Sequence, residues 1–514
     1  MITEGGVLSS LLEWFSLSFV ATTRILYLCT KKCGIGGCDY IESEEISTAD
    51  TSLEDRSRKG GKLMRLIHCK TMYISLSLIL ALLVGGCSWM GSSSPSSAPH
   101  ISTHASSTIH SVEADLLTNI KDNGFDNARG SDGLWINWRY GTQPLQTNIN
   151  GTGEPDGVDV NPPRHDELTD LRYIHNLWSY KQQNPSDTSF DGEIARYTPI
   201  IKYEFANSHN ERGWLYDEFI AIYQLTHDVF YKNTAISLAS SYAKRYDSRV
   251  GSIYKLASDH PYGSYRVDMV LEEGCALIQA GTSFEHPEWQ QMGANIINFV
   301  YSHAYINQYH TFADQMDNVL LPDGSVNPHE QFYVGRTKNY TVNGHLSQMG
   351  EISQIIISLL DTYNTTHEQD FLNKATKLLD TYALPANPLG MWDTVHNGYF
   401  FAVEFRGPTP EQPGPVLVNK KVKEAGRQMI MLQAFHLADT LTNNRYKMME
   451  DQMLRVALKD AYYAPGHGVL YEVHADWAPL TFHNGELNNA VTTEAMGAEL
   501  ESLFALGHNR VNLS

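Results

Sequence analysis

The sequence predicts an all-α domain of six helical hairpins closed into a ring, an (α/α)6 toroid with long aromatic-rich loops. Three observations carry this. Helical periodicity dominates from about residue 112 onward, the helical segments come in pairs, and the apolar member of a pair recurs six times.

The clearest pair is "GWLYDEFIAIYQLTHDVFYKNTAISLASSYAKR". Its first half is apolar nearly all round, through Leu215, Tyr216, Phe219, Ile220, Ile222, Tyr223 and Leu225, as expected of a helix enclosed by others. The second half is amphipathic and belongs outside. Between them lies a polar joint, Thr226-His227-Asp228, followed by the aromatic anchor Tyr231. Comparable joints precede Trp289, Phe371 and Tyr446 at unequal spacing, so the repeat is degenerate and not a regular solenoid. Inner helices are read near "HDELTDLRYIHNLWSYK" and then from Trp214, Tyr265, His345, Lys423 and Val491. Six hairpins in a ring put these inner helices around a funnel, with the loops leading into them gathered at one mouth.

Those loops are long. "SDGLWINWRYGTQPLQTNINGTGEPDGVDVNPPRHDE" holds Trp135, Trp138 and Tyr140, and "ANPLGMWDTVHNGYFFAVEFRGPTPEQPGPVLVNKK" holds Trp392, Tyr399, Phe400 and Phe401. Loops of this length in a compact domain are functional or disordered, and the rings argue for order. Either they supply sugar-stacking platforms, with Trp138 and Trp392 foremost, or they close the ends of the bundle as satellite core.

Ahead of the toroid, "MRLIHCKTMYISLSLILALLVGGC" has the layout of an export signal: a basic head, an apolar run Tyr73 to Val84, and a small-residue stop at Cys87. The run is too short to cross roughly 30 Å of hydrocarbon. "LVGGC" resembles the lipobox of bacterial lipoproteins, which implies lipidation of Cys87 and anchoring to the outer face of the bacterial cell membrane or the outer membrane. Residues 64–86 are then the signal, 87–111 the lipidated cysteine with a Ser-rich tether, and 112–514 the toroid. Residues 1–63 read as an upstream extension, with Met64 or Met72 as the expected start. The "CTKKCGIGGC" cluster within them lacks a fourth ligand for a tetrahedral metal site.

"YDEFIAIYQLTHDVFYKNTAISLASSY", "KEAGRQMIMLQAFHLADTLTNNRY" and "MWDTVHNGYFFAVEF" resemble segments of the six-hairpin glycosidase superfamily, in particular family 76 glycoside hydrolases and relatives of N-acylglucosamine 2-epimerase. The resemblance implies the toroid fold and activity on a carbohydrate. It departs from both families: family 76 enzymes carry an Asp-Asp pair that this chain lacks, and "VTTEAM" lacks the preceding His and Trp of the epimerase segment. His345, His436 and His483 stay unmatched, so an epimerase and a non-catalytic sugar-binding protein remain alternatives to a hydrolase.

Glycosidic hydrolysis needs a protonated and an ionised carboxyl. Asp217 and Glu218 are the only charges between Arg212 and His227, on a helix otherwise too apolar to be exposed, and Asp217 shares a face with Trp214. They are candidates alongside Asp268 and Glu494, which hold early positions on later inner helices, where a first-turn carboxylate can also simply satisfy free backbone N–H groups. Arg266, Glu351, Glu424 and Arg427 occupy comparable positions. Trp138, Trp214, Tyr216, Arg266 and Trp392 are the candidate substrate contacts. Cys275 in "EEGCALIQA" reads as a packed thiol.

No metal or cofactor is expected, since HExxH and similar ligand spacings are missing. The net charge of −20 argues against nucleic acid as a partner, while 11% aromatic residues suit an oligo- or polysaccharide.

Overall fold

In the computed structural model the described residues are 103–511, without 127–132, 135–136, 139–147, 150–157, 160–166, 208–211, 334–344, 385–387, 419 and 482–486. The signal, Cys87, Trp135, Tyr140 and His483 lie outside them. Twelve α-helices are found among the described residues, and they form the expected (α/α)6 toroid.

Six helices are inner: α2 (Glu167–Gln183), α4 (Trp214–Thr226), α6 (Val267–Ser283), α8 (Met349–Thr366), α10 (Ala425–Leu441) and α12 (Thr493–Val511). Each packs on the next, and α12 closes the ring on α2. The outer partners are α3 (Asp191–Asn207), α5 (Val229–Arg245), α7 (Pro287–His303), α9 (Gln369–Tyr382) and α11 (Lys447–Arg455), each following its inner helix. No helix follows α12 among the described residues. Its outer neighbour is α1 (Thr103–Asn119), from the start of the described chain. The tether expected to reach Ser111 thus overlaps a helix, whose end is fastened to the 462–469 turn. There Asn119 donates to the carbonyls of Gly466 (3.0 Å) and His467 (2.7 Å), and Asp115 pairs with Tyr462 and His467.

The polar joints explain how each hairpin turns. In α4 the chain ends on His227 in the left-handed region (φ 56°), and Asp228 caps α5 by accepting the Phe230 N–H at 2.9 Å. The same left-handed histidine recurs at His367 (φ 59°) between α8 and α9. Of the anchors that follow the joints, Tyr231, Phe371 and Tyr446 are buried, and Trp289 packs on the core while stacked on His286.

Short antiparallel strands that helical periodicity does not register lead into the inner helices. His260–Arg266 runs into α6, His345–Gln348 into α8, Val422–Glu424 into α10 and Val491–Thr492 into α12. The first lies in a four-stranded sheet with Lys255–Ala257, Gln315–Asp317 and Gln331–Phe332; the second pairs with Ala402–Phe405. Residues just before α6, α8 and α10 keep extended dihedrals and make no side-chain cap. At α6, α8 and α10 the first N–H is instead taken by a backbone carbonyl, of Asp314, Phe401 and Tyr471 respectively, and Asp268, Glu351 and Glu494 stand in the first turns of α6, α8 and α12.

The inner helices approach closely where glycine allows it. A Cβ on Gly213 would lie 2.3 Å from the backbone of Glu272 and Glu273, and one on Gly350 would lie 2.2 Å from the Arg427 side chain. Gly213 has ordinary helical dihedrals (φ −63°), so its requirement is space.

Candidate active site

At the mouth of the ring is a cavity of about 840 Å³, its opening included. Carboxyl groups from Asp268, Glu272, Glu351 and Glu494 converge there with the guanidinium groups of Arg172, Arg212, Arg266 and Arg427, beside Trp214 and Tyr471.

Arg266 organises one side. Its Nη2 and Nε donate to both Asp268 oxygens at 2.7 and 3.2 Å, and the same Nη2 donates to Glu351 at 2.5 Å. Two carboxyls from different inner helices thus share one cation. Burial and the nearby Asp268 charge hold the Glu351 carboxyl well above the usual carboxylate range, against the pull of Arg266. Asp314, whose carbonyl receives the Val267 N–H, is pushed by burial up to about 7. Glu272 is likewise raised by burial and Asp268, and accepts the Trp214 N–H at 3.3 Å. On another side Arg427 lies 3.3 Å from Glu424 and 3.6 Å from Glu494. These neighbours keep its guanidinium protonated despite burial.

Of the residues singled out by sequence, Asp268, Glu494, Trp214, Arg266, Glu351 and Arg427 share this cavity. Asp217, Glu218, Tyr216, Trp138, Trp392 and Glu424 do not line it. Asp217 sits one turn beyond Trp214, near Asp361 and Gln279, and burial with the Asp361 charge raises its carboxyl well above the usual range. Glu218 turns toward His175 on α2, 2.6 Å away, and Glu501 on α12. Tyr216 is buried among helices. Trp138 is fully buried, its indole N–H donating to Asn119 at 3.1 Å, and Trp392 packs edge-on against Tyr399 with centroids 5.0 Å apart. Both indoles thus close the bundle's ends, with no face on the cavity. Glu272, Arg172 and Tyr471 were not anticipated: the first two lie mid-helix, and Tyr471 sits in a turn whose only signal is an aromatic residue.

Among the described residues no histidine lines the cavity. His436 is buried, with Nδ1 3.2 Å from Glu450. One group has the composition of a metal site: His175, Glu218 and Glu501 bring their ligand atoms within 4.8 Å of one another. A metal fits poorly, because His175 and Glu218 already stand at hydrogen-bond distance and Arg172 lies 3.4 Å from Glu501.

Two predictions arise here. Asp217→Asn keeps turnover within about twofold of the wild type, since a surface or core site away from the reacting atoms contributes no proton transfer. It also raises stability at pH 8. The folded carboxyl is raised above its unfolded value, so wild-type stability falls as pH rises between the two; Asn removes that loss, and the gain disappears toward pH 4. Urea melts across that range check it. Cys275 is fully buried, and burial pushes its thiol up; Cys275→Ala leaves turnover intact, as an assay at equal folded concentration will test.

No protein-family model matches the chain, and no curated protein matches it by sequence. Among solved structures it is similar to an unsaturated glucuronyl hydrolase specific for heparin, at 16% identity and a TM-score of 0.54, over 79% of this chain and 98% of that one. A D-mannose isomerase is similar at 11% identity and 0.53, over 80% and 100%. The unsaturated glucuronyl hydrolase of Bacillus sp. GL1 follows at 12% identity and 0.51, over 79% and 97%. At these identities the likeness shows the fold alone.

Proposed function

We propose that the chain is a carbohydrate-active enzyme that hydrolyses a glycosidic bond in the funnel, with Glu351 as proton donor and Asp268 as the carboxylate that activates water or attacks the sugar. The observation that carries this reading is the sharing of one guanidinium, that of Arg266, by two carboxyls from neighbouring inner helices in the cavity wall. Like charges so placed favour one protonated and one ionised partner, the division of labour that glycosidic cleavage requires. Trp214, with the Arg172 guanidinium 4.5 Å from its ring centroid, forms part of the cavity wall, and Glu494 is a further carboxyl within the same cavity. Proteins of the same fold that are named for a glucuronyl hydrolase or a mannose isomerase act on sugars, which agrees with this reading.

A glycan library screened for new reducing ends tests it. Release from at least one glycan is expected; binding without release from any would favour the sugar-binding alternative, which the missing Asp-Asp pair keeps open. Among the described residues the cavity lining holds no histidine through which an epimerase could work.

We further propose that the protein is an exported lipoprotein anchored through Cys87. Labelled fatty acid should enter the wild type and not Cys87→Ala; equal labelling of both would refute it.

A further inference from the structure

Behind the cavity wall, three inner helices meet in a group of four charged side chains. Arg172 and His175 lie one turn apart on α2 and so point the same way. Glu501 of α12 bridges them: one oxygen lies 3.4 Å from Arg172 Nε, the other 3.6 Å from His175 Nδ1. Glu218 of α4 completes the set, 2.6 Å from the same His175 nitrogen. Arg172 then reaches the cavity, where its guanidinium carbon stands 4.5 Å from the centroid of the Trp214 ring. Arg172 and Trp214 line the cavity; His175, Glu218 and Glu501 do not.

We propose that His175, Glu218 and Glu501 are positioning residues, a buried charged clasp that holds Arg172 over the Trp214 ring and so fixes the wall against which the substrate rests. Burying four charges is a poor way to gain stability, because desolvation cancels most of the attraction and apolar side chains would pack as well. What the charges add is direction. A guanidinium is planar and is oriented by the carboxylate it faces, so Glu501 sets the tilt of Arg172, and the tilt sets its overlap with the indole. Glu501 is in turn fixed by His175, which Glu218 holds from the other side.

Two cations face two acids in this group, and burial together with the Glu501 charge raises the Glu218 carboxyl to about 7. Burial disfavours the His175 cation, but Glu218 and Glu501 outweigh it and push the imidazole up to about 10. Burial opposes the Glu501 charge, but the neighbouring Arg172, Glu218 and His175 bring its carboxyl down to about 2. Glu218 from α4, Glu501 from α12 and Arg172 on its own helix are the charged groups that face His175. When His175 loses its proton, Arg172 alone faces both acids and is drawn from the ring.

The test reads Trp214 directly, as the difference in acrylamide quenching between the full chain and its Trp214→Phe variant. Glu501→Gln should raise the Trp214 quenching constant about twofold at pH 7, because the cation no longer covers the ring. A folded Glu501→Gln protein with wild-type quenching would overturn the clasp. Should that variant fail to fold, the same difference between the wild type and Trp214→Phe decides: it should rise, corrected for lifetime, as pH passes through about 10, and a flat profile with native circular dichroism would refute the proposal. Added zinc should leave the melting temperature unchanged; a zinc-dependent rise abolished in Glu218→Gln would make the group a metal site instead.

The consequence for substrate rests on the hydrolase reading. There Glu501→Gln should raise KM about tenfold with kcat within about twofold, whereas a fall in kcat at unchanged KM would show that the clasp does not shape the binding wall. If the wild type turns over no glycan, the hydrolase reading fails while the quenching experiment still decides the clasp.

Discussion

Asp268→Asn lowers turnover of the hydrolysed glycan by about 100-fold or more, the usual cost of removing a group that transfers a proton or attacks in the transition state. The substitution keeps the shape of the side chain and one acceptor for Arg266, whose fork now closes on Asp268 at 2.7 and 3.2 Å. Binding should therefore survive the loss of rate. Glu351→Gln gives a comparable loss by another route. Glu351 is raised by burial and by Asp268, so wild-type kcat/KM falls as pH rises through its elevated value, where the donor loses its proton. In Glu351→Gln that alkaline limb should vanish together with most of the activity. Pre-steady-state and pH–rate measurements on the two variants check this; an undiminished rate in folded Asp268→Asn would remove Asp268 from the chemistry.

The second large effect is structural. Gly213→Ala should destabilise the toroid by about 1–3 kcal/mol, because an extra methyl in a filled space forces the backbone to move. Its Cβ would sit 2.3 Å from the Glu272 carbonyl carbon and the Glu273 nitrogen, atoms that cannot swing aside as a side chain can. Relief requires α4 and α6 to part. Trp214 follows Gly213 directly and its N–H binds Glu272, so the same shift disturbs the cavity wall. Urea unfolding measures the first effect, and a rise in KM at equal folded concentration measures the second.

This contact also explains which part of the site was legible in the sequence. The six inner helices were read from apolar periodicity and polar joints, because those patterns are local: a helix enclosed by others must be apolar all round, and a turn between antiparallel helices needs polar, left-handed residues such as His227 and His367. Early positions on α6, α8 and α12 then delivered Asp268, Glu351 and Glu494 to one cavity. Early positions on α4 brought Trp214 there but neither Asp217 nor Glu218, and the reason is axial offset. Gly213 packs against Glu272, the sixth residue of α6, so α4 begins about 8 Å farther along the ring axis at 1.5 Å per residue. Trp214 consequently reaches only the level of Glu272, and Asp217 falls beyond it. Nothing in the periodicity of either helix encodes that sliding distance. It is set by a glycine and the backbone it touches. Loop aromatics failed for a related reason: whether Trp138 faces a cavity or the core depends on Asn119, a partner on another element that composition does not reveal.

The pairing of α12 with α1 bears on how the chain can fold. Five hairpins are contiguous in sequence and can form as soon as their second helix exists. The sixth joins residues near 115 to residues near 467 and 500, so its two halves meet only after nearly the whole domain has been made. Until then α1 has no groove to fill, and the ring is an open arc with unsatisfied apolar edges on α2 and on whichever inner helix came last. Closing so long a loop costs only slightly more entropy than closing a short one, since the cost grows with the logarithm of length, but it comes last in time. Assembly is thereby all-or-none with respect to the final helix: a chain cut before Thr493 loses the partner of α1, the bridge from Glu501 to Arg172, and the seam that makes an arc into a funnel. A circular permutant that joins α12 directly to α1 would turn that late, distant pairing into an ordinary hairpin, and it should fold faster while keeping the same cavity.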